Sequence, residues 1–199
     1  MNGAAIALET VAPAADRPPG FTLWFTGLSG AGKTTIAGRV GSELERRGAT
    51  VEHLDGDVIR THLSNGLGFS KHDRDTNIAR IAWVASRLTR LGATVIVSAI
   101  APYAEARYRA RVLVEQFGPF VEVYVRASVA ECARRDVKGL YAKALAGEVE
   151  AFTGVSDPYE PPTDPELVID TETLDVAESV RLVLTKLAEL GLAGSRVPR

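Results

Sequence analysis

A single cysteine, Cys132, stands in the 199-residue chain, so no disulfide can form within it, and a lone thiol suits a reducing compartment. Positive charge is not in excess either. Lys plus Arg number 23 against 25 Asp plus Glu, a net charge of −2 that disfavours nucleic acid and anionic membrane surfaces as partners. No apolar run approaches the roughly 18–20 residues that cross a bilayer, the longest being 93–102. Nor does a basic segment introduce the Ala- and Pro-rich first twenty residues, whose apolar stretch Glu9 interrupts, so no signal peptide is read there. Repeats at a fixed period are absent. The expectation is a soluble, cytoplasmic protein. With 46% hydrophobic and 24% charged residues the composition is that of a folding globular chain. Its length gives one domain over 21–190, between a flexible N-terminal arm (1–20) and a loose C-terminal tail (191–199).

Short apolar, β-branched or aromatic runs recur at 21–26, 50–54, 93–100, 120–125 and 167–169. Their hydrophobicity is continuous rather than alternating, which predicts about five strands buried on both faces of a mostly parallel sheet. Between them lie stretches of helical spacing, such as Ile78, Ile81, Ala82, Ala85, Leu88 and Leu91, and later Val176, Val180, Leu184 and Leu187, ended by Gly92 and Gly191. Strands alternating with helices imply an α/β fold with helices on both sheet faces, whose ligands bind at the carboxyl ends of the strands. The segment 136–165 does not fit that rhythm. It holds Gly139, Gly147, Gly154 and four prolines beside Tyr141, Phe152 and Tyr159, and is read as a lid over a site.

Gly27-Leu28-Ser29-Gly30-Ala31-Gly32-Lys33-Thr34 matches G-x-x-x-x-G-K-[ST], after a predicted strand and before a predicted helix that opens at Thr35. Such a P-loop turns backbone N–H groups around phosphate oxygens, aims Lys33 at the β- and γ-phosphates, and offers the Thr34 hydroxyl to Mg²⁺. Nucleoside triphosphate binding follows, and the fold is that of P-loop NTPases. A second cluster, Asp55-Gly56-Asp57 with Arg60 three residues on, stands at the end of the next strand. In a phosphotransferase one carboxylate supports the metal shell and the other accepts the proton of the attacking hydroxyl, while Arg60 binds an anion. The alternative is an Asp-Gly turn that caps a helix. In a third cluster Arg74, Asn77 and Arg80 fall at i, i+3 and i+6, Arg74 and Asn77 close on one helix face and Arg80 not far round it, a set that reads a small anion and a hydroxyl or base edge, or else a solvated basic face.

Taken together these residues resemble the adenylylsulfate (APS) kinases, P-loop kinases of sulfate assimilation. The likeness runs over about 20–190 and includes Gly27 to Thr35, Leu54 to Asp57, Leu67 to Ser70, Asp73-Arg74, Asn77-Ile78, Arg80, Arg135 to Tyr141, Phe152 to Gly154 and Tyr159-Glu160. The resemblance implies transfer of the γ-phosphoryl of ATP to the 3′-hydroxyl of adenosine 5′-phosphosulfate, giving ADP and 3′-phosphoadenylylsulfate (PAPS), with Mg²⁺. It implies an APS site of Asp57, Arg60, Phe69, Arg74, Asn77, Ile100, Lys138 and Phe152, extended to Arg80, Ala101 and Leu140. Phe69 and Phe152 are expected to stack on the acceptor adenine, although from the residues alone both read first as core. Lys33, Asp55, Asp57 and Lys138 are the expected catalytic groups, Asp57 as base and Asp55 with Thr34 at the metal, these two aspartate roles being exchangeable. Arg135 joins the P-loop residues Gly27, Leu28, Ser29, Gly30, Ala31, Gly32, Lys33, Thr34 and Thr35 at ATP. A homodimer is implied, and association with ATP sulfurylase stays open. The chain departs from the family at Ala99, Ala142 and Ala101, the last where a serine is common. Without that hydroxyl no phosphoenzyme can form at Ala101, which favours direct in-line transfer.

Overall fold

The computed structural model describes residues 20–136 and 139–192, so the expected arm apart from Gly20, the tail beyond 192, and Lys138 lie outside the described residues. In chain order the elements are β1 (Phe21–Thr26), α1 (Lys33–Arg46), β2 (Val51–Asp55), α2 (Gly56–His62), α3 (Lys71–Arg90), β3 (Thr94–Ser98), α4 (Ala104–Glu115), β4 (Phe120–Arg126), α5 (Val129–Arg135), α6 (Leu140–Leu145), β5 (Leu167–Asp170) and α7 (Val176–Glu189). The strands form one parallel sheet in the order β2-β3-β1-β4-β5.

Alternation along β1 explains the two cores. Leu23 and Phe25 point to one face and join Ile36 and Val40 of α1 and Val183 and Leu187 of α7. Trp24 points to the other face, stacks on Phe120 at 5.5 Å, and packs with Ile81 and Ala85 of α3 and Val114 of α4. Both faces are therefore covered, as the continuous apolar runs of β1, β3 and β4 require. The outer strands differ from expectation: Glu52 and His53 of β2 and Val168 of β5 are exposed. Each outer strand has only one neighbour, and solvent takes the other side. Since Leu187 is 0% exposed, Leu187→Ala should lower stability by ~2–5 kcal/mol, read as a lower urea midpoint at unchanged slope.

Register brings the site together. Phe25 pairs with Ser98, and Ser98 with Asp55, so β1, β3 and β2 end level. Strand order reverses at β1, whose successors β3 and β4 lie on opposite sides of it, and this is where open α/β sheets bind ligands.

Candidate active site

A cavity of about 410 Å³ opens over these strand ends, a size suited to a small-molecule site. Its walls come from the P-loop, the Asp55-Gly56-Asp57 turn, the first turns of α3, the Ser98–Pro102 loop and the segment after α5.

The P-loop takes its shape from its glycines. Gly27 has φ 144°, and a side chain there would collide with the carbonyl of Val125; Gly32 has φ 104° and immediately precedes α1. No side chain caps α1, which leaves its first amides to an anion. Lys33 is buried and its Nζ donates to the carbonyls of Gly27 (2.9 Å) and Leu28 (2.8 Å), so the ammonium is held over the loop it must serve. Ser29, Gly30, Gly32, Lys33, Thr34 and Thr35 line the cavity, whereas Gly27, Leu28 and Ala31 build the loop behind it. Arg135 stands beside the loop, its guanidinium held by Glu131, by Thr171 and by the carbonyl of Gly30.

Asp55 caps a helix and also meets the P-loop. Its Oδ1 accepts from the Asp57 backbone N–H and caps α2, while its Oδ2 accepts from Thr34 Oγ1 at 2.9 Å. Two hard oxygens from different motifs thus stand side by side, the kind of partial shell that Mg²⁺ completes with phosphate oxygens and water. Among the described residues there is no cluster of three acidic, His or Cys ligands, and a Mg²⁺ carried on a nucleotide needs none. Asp57 is exposed at the cavity wall.

The far wall carries the third cluster. Phe69 is 56% exposed despite its size, and the Arg60 guanidinium lies 4.5 Å from its ring centre. Burial and then the nearby Arg74 charge push the Arg60 pKa below its ordinary value, with Asp57 and Asp73 opposing, so an additional anion here would be welcome. Asn77 is buried and lines the cavity, and its Oδ1 lacks a protein partner. Ile100, Ala101, Leu140 and Phe152 also line it. Ala101 has φ 46°, and its carbonyl accepts from Arg107.

Arg74 and Arg80 sit otherwise than their spacing suggested. Arg74 lines the cavity but is 7% exposed, and it donates to the carbonyls of Phe69 and Ala151 and to Thr153 Oγ1, with Asp157 at 3.6 Å. Arg80 is exposed, outside the lining, and donates to Leu63 O, because six residues along a helix turn a side chain about 120° away. Arg80→Ala should therefore change the KM of the acceptor less than threefold, as initial-rate kinetics would show.

Asp136, Leu140, Tyr141 and residues 149–153 of the expected lid line the cavity. Asp136 accepts from the backbone N–H groups of Tyr141 and Ala142 and so starts α6. Tyr141 is buried, donates its hydroxyl to Ser29 O in the P-loop (3.0 Å), and meets Phe152 edge-on at 4.9 Å. Further along, Tyr159 reaches Thr26, and Glu160 bonds to the Pro102 carbonyl, to the Ala104 N–H at the start of α4, and to Arg107. Sequence reasoning passed over Ser98, Asp136, Tyr141 and Thr153 as cavity residues; the aromatic content of the segment was the one signal that pointed at Tyr141. Cys132 is packed in the core, where burial pushes its thiol pKa up.

A sequence profile of the adenylylsulphate kinase family matches residues 19–170. The adenylyl-sulfate kinase of a Picosynechococcus species is 54% identical over 172 residues, covering 86% of this chain and 96% of its own. The Mycobacterium tuberculosis APS kinase, solved in complex with AMPPNP and APS, is 42% identical with a TM-score of 0.83 over 86% of this chain and 99% of its own. A hexameric APS kinase from Thiobacillus denitrificans is 40% identical with a TM-score of 0.68, over 87% of this chain and 30% of its own. Among the described residues no helix is long and apolar enough to cross a membrane.

Proposed function

The chain belongs to the adenylylsulphate kinase family, and from that premise we propose how its residues divide the reaction of an ATP-dependent kinase that converts APS to PAPS. The observation that carries the proposal is the 2.9 Å contact of Thr34 with Asp55. It joins the triphosphate loop to the acceptor-side carboxylates within one cavity.

ATP occupies the P-loop, with the α1 amides on its phosphates and Arg135 toward its adenine. Thr34 and Asp55 would hold Mg²⁺, which supplies positive charge against the β- and γ-phosphate oxygens. Lys33, already poised on the loop carbonyls, moves its ammonium onto the transferring phosphoryl group. The acceptor adenine lies between Phe69 and Phe152, with Asn77 Oδ1 available to an exocyclic amine or hydroxyl. Its phosphosulfate falls to Arg60 and Lys138. Arg74 lines this site and, through its bonds to Ala151 and Thr153, also ties it to the lid.

The 3′-oxygen attacks the γ-phosphorus in line while the bond to the β,γ-bridging oxygen breaks and ADP leaves with that electron pair. The hydroxyl proton passes to the Asp57 carboxylate. Ala101 has no hydroxyl to carry the group in between, and transfer on this reading is direct. The segment 136–165 acts as the lid that keeps water from the γ-phosphoryl. Cys132, single and buried, suits the cytoplasm as compartment. A homodimer is the assembly this reading carries, and light scattering on the purified chain would separate it from the hexamer of the Thiobacillus protein. A pull-down with ATP sulfurylase tests the association raised above.

The deciding assay follows ADP release from ATP and Mg²⁺ with and without APS, with PAPS identified by mass spectrometry. APS-dependent PAPS is the expected result. ADP release that ignores APS, with no PAPS, would overturn the assignment.

A further inference from the structure

We propose that Asp157 is a positioning residue of the acceptor site, its carboxylate fastening the turn that carries Phe152 to Arg74 and Tyr103. The proposal rests on the reading that Phe152 stacks on the acceptor base. Residues 152–157 form a closed unit: the Phe152 carbonyl accepts from the N–H groups of Val155, Ser156 and Asp157, Phe152 N–H donates to Ser156 Oγ, and Gly154 N–H donates to Asp157 O. Wherever Asp157 sits, Phe152 is carried with it.

Two elements outside the lid grip that carboxylate. Tyr103, just before α4, donates its hydroxyl to Asp157 Oδ2 at 2.9 Å, and the Arg74 Nε of α3 lies 3.6 Å from the same oxygen. Arg74 also holds Thr153 Oγ1 and the Ala151 carbonyl, so α3 grips the turn on both sides of Phe152. Burial and then Asp157 itself push the Tyr103 pKa up to about 12, so the phenol remains a donor throughout the neutral range. Charge on the acceptor is incidental to this grip; what it sets is the position of an aromatic face, and an aromatic face stabilises a base only at a defined separation.

The rest of the lid has its own anchors. Tyr141 reaches the P-loop, Tyr159 reaches Thr26, and Glu160 holds the start of α4. Loss of the Asp157 carboxylate should therefore free the turn locally without detaching the lid.

The test compares Asp157→Ala, Tyr103→Phe and Phe152→Leu in steady-state kinetics with ATP and APS, alongside the ratio of ADP to PAPS formed. Asp157→Ala is expected to raise the KM for APS about tenfold, with the KM for ATP within twofold, and to push the ADP:PAPS ratio above one as water enters. Tyr103→Phe, which keeps the ring and removes only the hydroxyl, should shift the APS KM about threefold in the same direction. Phe152→Leu should show the same selectivity for APS. If Phe152→Leu weakens APS but Asp157→Ala and Tyr103→Phe leave its KM and the product ratio unchanged, Asp157 has no positioning role and the reading of Phe152 survives. If Phe152→Leu leaves the APS KM unchanged, that reading fails and the proposal falls with it. Equal loss of ATP and APS affinity in both Asp157→Ala and Tyr103→Phe would mean a merely structural role and would also overturn it.

Discussion

Asp57→Asn is expected to cut kcat by ~10²–10⁴ while leaving the KM values for ATP and APS within a few-fold. The size follows from the role. Asparagine keeps the shape and the polar surface of aspartate but cannot take the proton of the 3′-hydroxyl, so what is lost exists only in the transition state. Asp57 is a suitable carboxylate for this because it stands at the wall of the cavity, two residues past the metal-side Asp55. Asp55 has one oxygen on the Asp57 amide and the other on Thr34, whereas Asp57 lies exposed on the cavity wall. Exchange of the two roles would show itself in the companion variant. Should Asp55→Asn lose only metal-dependent rate, recoverable at raised Mg²⁺, while Asp57→Asn cannot be rescued, the assignment stands. A change in KM alone for Asp57→Asn would remove it from proton transfer.

Lys33→Ala should lower kcat/KM by ~10³, with most of the loss in kcat. An ammonium placed by a buried stem against a transferring phosphoryl group acts in a site where water no longer screens it, and alanine leaves that charge unopposed. The variant also strips a donor from the carbonyls of Gly27 and Leu28, so the loop itself loses some order. Calorimetric titration with a non-hydrolysable ATP analogue separates the two effects. Weakened binding by about tenfold with a far larger fall in turnover is the expected pattern, and equal losses in both would reduce Lys33 to a ground-state contact. Lys33→Arg should not rescue it, because the planar guanidinium cannot occupy the point that the ammonium does.

The chemistry of the phosphate half was legible because it is local. A P-loop is written in eight consecutive residues, and the glycine spacing that lets Gly27 pass the Val125 carbonyl is the same spacing that marks the motif. The inner strands were legible for a related reason: a strand buried on both faces leaves a continuous apolar run, and β1, β3 and β4 have one. The outer strands obey no such rule. β2 has a single neighbour, so Glu52 and His53 carry no pressure to be apolar. The six residues of α6 are too few to display a period, and the lid read as irregular.

What the sequence determined by itself was the phosphate-binding loop and the α/β order, each carried by neighbours within a dozen positions, whereas the proposed acceptor-side residues run from Asp57 to Phe152 and came only with the family resemblance. Tertiary structure decided how those residues are used. Whether Asp55 only caps a helix was open in the sequence, and the level ends of β1, β2 and β3 let it cap α2 and meet Thr34 of the P-loop at once. Arg74 and Arg80 share a helix and a charge, yet one is closed in by Ala151 and Thr153, 77 and 79 residues away, and the other is left in solvent. Helical phase places a side chain on its own element, but only the packing of distant segments fixes what it meets, and hydrogen bonds across 50 to 140 positions leave no local pattern to read.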